Sequence, residues 1–252
     1  DAQRYAELAE RVRLAFLSAY VTPAGRMVSD APTAYAMAIV YGIAVEPDLR
    51  ATLGDRLASL VRASGFHIGT GFVGTPIILD ALTATGHVQT AERLLLQTEN
   101  PSWLYPVLMG ATTIWERWDS MLPDGTINPG QMTSFNHYAL GAIADWLHRC
   151  VAGLAPAEPG YARLRIEPHP LDGFDFASAE HQTPYGRAKV RWERAGDEIA
   201  VEALVPANTS ADVVLPDGSR HEVGSGTHRW TVAAPAPLTE IVPRRGPVRW
   251  RG

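Results

Sequence analysis

Gly153-Leu154-Ala155-Pro156-Ala157-Glu158-Pro159-Gly160 divides the sequence into two unlike parts. Two prolines and two glycines in eight residues read as a linker or a domain-entry loop, because neither residue type readily continues a helix or a central strand. Before this stretch, apolar residues recur at helical spacing. After it, short alternating runs are separated by turn signals. The division predicts a helical domain over 1–155 and a β domain over 156–252. The 252 residues, 46% of them hydrophobic, are enough to give each part its own core.

On the helical side, residues 2–20 place Tyr5, Leu8, Val12, Phe16 and Ala19 on one face. Residues 33–44, TAYAMAIVYGIA, are nearly all apolar and predict a helix buried on most sides. Pro47 and Asp48 open a helix through about Ser64, since proline suits the first turn and a carboxylate suits the positive end of the helix dipole. Thr75-Pro76 reads as an N-cap followed by proline at the first helical position, with Gly86 as the stop. Further helices are expected over about 88–98 and about 135–151. The last of these buries Ala139, Leu140, Ile143, Trp146, Leu147 and Cys150. Helices joined by short loops imply an array of helical hairpins. On the other side, 163–166, 188–192, 199–204 and 228–232 read as strands. Pro216-Asp217-Gly218 marks a hairpin between 211–215 and 220–223. Several short strands at close spacing imply an antiparallel β-sandwich.

The composition excludes several function classes. The net charge is −5 and no segment gathers Lys or Arg into a basic patch, so nucleic acid is not an expected partner. No apolar run reaches the roughly 18 residues of a membrane span, so no membrane partner is expected. Cys150 is the single cysteine, which leaves no intrachain disulfide. His87, His148, His169, His181, His221 and His228 lack metal-ligand spacing, and there is no Gly-x-Ser-x-Gly nucleophile elbow. Residues 69–75, Gly-Thr-Gly-Phe-Val-Gly-Thr, carry three glycines before a helix. No strand precedes them and no lysine follows the last glycine, so a tight turn close to a pocket is expected rather than a phosphate loop. Neither metal nor cofactor is expected. The opening DAQRYAELAERVR lacks the basic-then-apolar pattern of a signal peptide, which favours the cytoplasm while leaving location open.

Chemistry concentrates in residues 100–138. Four of the seven tryptophans lie between 103 and 146, accompanied by Glu116, Arg117, Asp119, Asn136 and His137. Indole faces beside carboxylates suit a sugar pocket, where the C–H face of a pyranose stacks on a ring and polar groups take its hydroxyls. Equally, Trp115 and Trp118 are three apart and fit one face of a helical turn that fills a core. Glu116 sits between Trp115 and Arg117. Desolvation by the indoles would raise its pKa and the arginine would lower it, a combination that suits a general base. The competing reading is a surface Glu–Arg pair. His137 opens the last helix, with Ser134 or Asn136 as its N-cap. There the helix dipole disfavours an imidazolium, so His137 is either a neutral donor to a hydroxyl or a capped structural histidine.

Four motifs then carry a resemblance. Gly71-Phe72-Val73-Gly74-Thr75-Pro76, Pro101-Ser102-Trp103-Leu104-Tyr105, Gly110-Ala111-Thr112-Thr113-Ile114-Trp115-Glu116-Arg117-Trp118-Asp119 and Ser134-Phe135-Asn136-His137-Tyr138 resemble, in order and spacing, the bacterial α-L-rhamnosidases of glycoside hydrolase family 78. Gly160-Tyr161, Ile166, Pro168 and Pro170 are similar to the start of that family's C-terminal β-domain. The resemblance implies an (α/α)6 barrel followed by a β-sandwich, and hydrolysis of terminal α-L-rhamnosides with inversion. It implies Glu116 as general base, His137 in the rhamnose subsite, and Trp115, Trp118 and Trp103 as pocket-shaping residues. Rhamnose-containing glycosides are the implied partners, and no metal or cofactor is implied.

One departure matters. The family's general acid, a glutamate in an acidic, arginine-containing motif, has no match here. Glu7 and Glu10 are the nearest acids and lie on an ordinary amphipathic helix. Residues 1–155 also supply roughly half of the helices that six hairpins require. The resemblance therefore implies the C-terminal portion of such an enzyme, carrying the general-base half of the site and inactive alone. The alternatives are a non-catalytic carbohydrate-binding or structural fragment, and a barrel enzyme acting on another sugar. An incomplete barrel is further expected to expose apolar faces, such as the 33–44 segment, and to self-associate through them.

Overall fold

The computed structural model describes residues 1–236. Residues 237–252, which the sequence assigns to the β domain, lie outside the described residues. The chain forms two compact units, Asp1–Leu147 and a second from His148 onward.

The first unit is helical: α1 (Ala2–Tyr20), α2 (Pro32–Val40), α3 (Pro47–Ala63), α4 (Thr75–Thr83), α5 (Val88–Leu96), α6 (Leu104–Leu108) and α7 (Ile143–Trp146). A 3-10 turn, Tyr138–Ala142, leads into α7, and a π turn, Leu147–Val151, follows it. Packing centres on α2, which buries Tyr35, Ala36, Ala38 and Ile39. Its alanines let α3 and α4 approach closely, and α5 packs on α4. On α3 the buried Leu53, Leu57, Ala58 and Val61 recur at three- and four-residue intervals, the stripe an amphipathic helix presents to a core. The expectation that 33–44 would be an exposed apolar face is corrected, because α3 and α4 cover α2. The uncovered helix is α1, which buries no residue and leaves Tyr5, Leu8 and Val12 at 60%, 40% and 59% exposure.

Two local devices shape the loops at the N-termini of α2 and α4. Asp30, at φ +46°, accepts the Tyr35 hydroxyl at 2.7 Å and Arg56 Nε at 2.9 Å. Tyr35 in turn accepts the Met27 N–H at 3.1 Å. This ties the 21–31 loop to α2 and α3. Before α4, the Thr75 hydroxyl is buried against the Thr70 hydroxyl at 2.9 Å. That closes the 70–75 loop on itself. Thr75 is therefore the first residue of α4 and not its cap; Gly74 occupies the cap position. Only glycine fits there, since a Cβ would stand 2.4 Å from Thr33 Oγ1.

The second unit contains β1 (Leu154–Pro156), β2 (Arg163–Ile166), β3 (Phe176–Thr183), β4 (Gly186–Ala195), β5 (Glu198–Val205), β6 (Ser210–Val214), β7 (Arg220–Val223) and β8 (Gly226–Ala233). They form two four-stranded sheets in the orders β1-β2-β6-β7 and β3-β4-β5-β8. Pairing is antiparallel, as expected, except for the parallel β2–β6 contact. Side chains alternate as strands require. Leu164, Ile166, Ala211 and Val213 from one sheet and Val190, Trp192, Val201 and Ala203 from the other are buried. The Pro216-Asp217-Gly218 turn closes the β6–β7 hairpin, with Gly218 N–H donating to the Leu215 carbonyl at 2.8 Å. Two strands were not anticipated. β1 lies within the stretch read as linker, and it pairs with β2. Gly153 before it takes φ +88° and stands so close to Pro168 that a Cβ would meet backbone at 2.3 Å. β3 pairs with β4 along its length.

Trp192 is fully buried and its indole N–H donates to the Val151 carbonyl at 2.7 Å. Trp192→Phe leaves that carbonyl unpaired and opens a void, so denaturant unfolding is expected to show a loss of about 2–3 kcal/mol. Arg56 and the Tyr35 hydroxyl hold the Asp30 carboxyl well below the usual carboxylate range. A depressed folded pKa gives stability that is present above the unfolded value and lost as pH falls through the folded one. Melting temperatures of the wild type and Asp30→Asn should therefore differ at pH 7, stay apart down to about pH 4, and converge on further acidification.

Candidate active site

Between α6 and the 3-10 turn, residues 109–137 form neither regular helix nor extended ladder. They are organised by a few long-range main-chain bonds. The Glu116 N–H donates to the Ser134 carbonyl at 2.9 Å, and the His137 N–H to the Ile114 carbonyl at 2.8 Å. At the far end, the Leu122 N–H donates to the Thr126 carbonyl at 2.8 Å. The segment is thus a long excursion whose two legs pair at their base, which sets Glu116 and His137 on neighbouring legs. Ring packing backs the pairing: Trp115 and Phe135 meet edge to face at 5.1 Å. The Thr113 hydroxyl donates to the Phe135 carbonyl.

Glu116 is half-buried. Its Oε2 accepts the Ser134 N–H at 3.1 Å. It forms no ion pair among the described residues, so the reading of a surface Glu–Arg pair is corrected. Arg117 binds Asp119 instead, Nε to Oδ1 at 2.6 Å.

His137 is the N-cap of the 3-10 turn, a place expected for Ser134 or Asn136. Its Nδ1 accepts the Ala139 N–H at 3.3 Å. That assigns the neutral ring its proton on Nε2, so the outward nitrogen is a donor. The Ser134 hydroxyl accepts the Asn136 N–H at 3.2 Å, a local turn that precedes the cap. The imidazole lies nearly parallel to two neighbouring rings, Phe72 at 4.9 Å and 8° and the exposed Tyr138 at 5.6 Å and 7°. Phe72 comes from the 70–75 loop and was not among the expected site residues. Its signal was present in Gly-Thr-Gly-Phe-Val-Gly-Thr, where the glycines drew the reading and the aromatic between them did not.

The tryptophans gather elsewhere. Trp103, Trp115 and Trp118, with Pro106, Ile114 and Leu140, line a cavity of about 280 Å³ that neither Glu116 nor His137 lines. Trp103 and Trp118 meet edge to face at 5.7 Å. The Trp103 indole N–H donates to the Leu140 carbonyl at 3.0 Å. Trp103 and Trp115 are 7% and 4% exposed, so their rings form the wall and floor of this cavity and not an open platform. Trp115 and Trp118 share it without a helical turn, since both lie in irregular backbone. Among the described residues no group of three or more His, Cys, Asp or Glu side chains is placed to hold a metal ion.

Residues 1–151 match the bacterial alpha-L-rhamnosidase 6 hairpin glycosidase domain, and residues 153–229 match the bacterial alpha-L-rhamnosidase C-terminal domain. The α-L-rhamnosidase of Streptomyces avermitilis is 40% identical over 251 residues, covering 92% of this chain and 24% of that protein. An α-L-rhamnosidase of Formosa agariphila is 36% identical over 189 residues, 75% of this chain and 20% of that protein. Among solved structures, the native α-L-rhamnosidase of Aspergillus terreus superposes with a TM-score of 0.88 at 41% identity, covering 92% of this chain and 27% of that one. The S. avermitilis enzyme complexed with L-rhamnose gives 0.88 at 39% identity, with 92% and 24% covered. The chain thus spans about a quarter of the length of these relatives. The two domain models match in succession over residues 1–151 and 153–229, and the chain belongs to the bacterial α-L-rhamnosidase family.

Proposed function

We propose that this chain carries the general-base half of an inverting α-L-rhamnoside hydrolase. One observation carries the reading. Glu116 is a half-buried carboxylate that follows an indole and precedes an arginine, yet among the described residues it is held by a single main-chain N–H and paired with no cation. One carboxylate oxygen is anchored and the other is left to accept a proton. In an inverting glycosidase the two carboxyl groups stand roughly 6.5–9.5 Å apart, leaving room for a water. Glu116 takes a proton from that water as its oxygen bonds to the anomeric carbon. The glycosidic C–O bond breaks with its electrons, and the departing oxygen takes a proton from the general acid. His137 donates from Nε2 to a sugar hydroxyl, its ring fixed by Phe72, Tyr138 and the Ala139 N–H. The apolar cavity of Trp103, Trp115 and Trp118 offers a wall suited to the methyl group of a 6-deoxy sugar. The similar S. avermitilis structure is complexed with L-rhamnose, which supports rhamnose-containing glycosides as the substrate class.

The acid is not assigned to this chain. Glu10 is ion-paired with Arg13 on the exposed α1, and Glu7 accepts a hydrogen bond from Gln3 on the same helix. That arrangement favours the base-half reading and, as a second reading, sugar binding by this chain without turnover. Self-association is supported by the uncovered apolar row of α1.

In the full-length polypeptide, Glu116→Gln is expected to lower kcat on an aryl α-L-rhamnoside by about 10²–10⁴-fold with little change in KM. Near-normal turnover would remove Glu116 from the base role. His137→Ala removes a hydrogen bond to substrate and is expected to weaken L-rhamnose binding by roughly tenfold, read by calorimetry.

A further inference from the structure

Arg117 directly follows Glu116, but the surrounding loop binds its guanidinium elsewhere. Nε and Nη2 meet the two oxygens of Asp119 at 2.6 and 3.3 Å. Nη1 reaches the Gln131 carbonyl at 3.4 Å. Asp119 is itself braced by Asn128 Nδ2 at 3.0 Å, and Asn128 Oδ1 accepts the Gly130 N–H at 2.9 Å. Gly130 leaves the space that Arg117 uses, since a Cβ there would stand 2.8 Å from Nη1. The Arg117 and Asp119 side chains are 38% and 26% exposed. A pair so open to solvent adds little to stability, typically about 0–1 kcal/mol. The group is nonetheless built from three side chains and a glycine that leaves them room, which points to control of where the arginine charge sits.

We propose that Asp119 is a positioning residue that holds Arg117 away from Glu116 and so keeps the Glu116 carboxylate unpaired. The proposal rests on the reading of Glu116 as general base. An arginine fork binds both oxygens of a carboxylate at once. Placed on Glu116, it would occupy the oxygen that must face water and would weaken its hold on a proton. Arg117 is the arginine adjacent to Glu116 in the chain, and the Asp119–Asn128 brace holds it on Asp119 instead.

The test uses the full-length polypeptide and an aryl α-L-rhamnoside. Asp119→Ala frees Arg117, and kcat is expected to fall about tenfold to a hundredfold with KM within about threefold of wild type. Arg117→Gln alone should leave kcat within about threefold of wild type. Adding Arg117→Gln to Asp119→Ala should return kcat to that level. If Asp119 only braces the loop, the double variant will be as slow as Asp119→Ala or slower, and the proposal is overturned. Should Asp119→Ala fail to fold, Asn128→Ala loosens the same carboxylate. A kcat loss suppressed by Arg117→Gln supports the proposal there, and an unsuppressed loss, or none, overturns it. Glu116→Gln separates the two levels. If that variant turns over normally, the base reading falls and this inference with it. If it is inactive and Arg117→Gln still rescues nothing, only the role of Asp119 falls.

Discussion

The pairing of the Ile114–Glu116 leg with the Ser134–His137 leg is the constraint on which the candidate site depends. Two main-chain bonds, Glu116 to Ser134 and His137 to Ile114, close a loop of some twenty residues at its base. Closing such a loop costs conformational entropy that grows only slowly with its length, so the tip can vary while the base stays closed. Because these bonds are made by backbone, they fix the separation of Glu116 and His137 whatever the intervening side chains are. The aromatic contacts add what the bonds lack. Trp115 against Phe135 joins the legs, and Trp103 joins the segment to Leu140 beyond it. Opening the base would part the carboxylate from the imidazole and disturb Ile114 and Trp115, which line the tryptophan cavity.

Charge is distributed with a clear asymmetry. Elsewhere, some carboxylates find arginines across long stretches of sequence. Asp30, in the loop before α2, binds Arg56 of α3, and Asp212 binds Arg163 from a neighbouring strand. Glu116 is next to an arginine in sequence and, among the described residues, has no such pair. Sequence proximity is thus overruled by the loop's own hydrogen bonding. A partly exposed pair is worth little in stability, so its geometry is set by whichever partner is better braced. Asp119, bound to Asn128, is the better braced.

How much of this was legible in the sequence follows from the range of the forces involved. Helices α3 and α4 were readable because proline, an acidic first turn and a terminal glycine act within one turn. The β6–β7 hairpin was readable because its Asp-Gly turn is chemically local. β3 was not, since only Ala179 and Thr183 of its eight residues are buried, so its strand character comes from pairing with β4 and not from its own alternation. β1 was hidden for the related reason that three residues ending in proline carry no period. The last helix was expected from 135 and begins at 138, because long-range bonds to Ile114 hold the preceding residues extended. The candidate residues Glu116 and His137 were legible as types in a motif. Their partners were not: Phe72 arrives from another helical hairpin, and the choice of Asp119 by Arg117 depends on Asn128 and Gly130, which no local pattern connects.

The two principal groups are also restrained to different degrees, and the difference fits different chemical duties. His137 is stacked on Phe72, lies parallel to Tyr138, and is held at Nδ1 and through its own N–H. Only the Nε2 edge remains unassigned. A donor restrained this far meets a hydroxyl with little further ordering, which is the benefit of preorganisation. Glu116 is restrained at one oxygen only. A group that accepts a proton changes its charge and its hydrogen-bond preferences during the step. A second tight anchor would favour the carboxylate form and oppose that change. The looser hold on Glu116 is therefore consistent with a proton acceptor, as the tight hold on His137 is with a fixed donor. The loop achieves both with the same base pairing, since its main-chain bonds set the two positions and leave the side chains to be restrained separately.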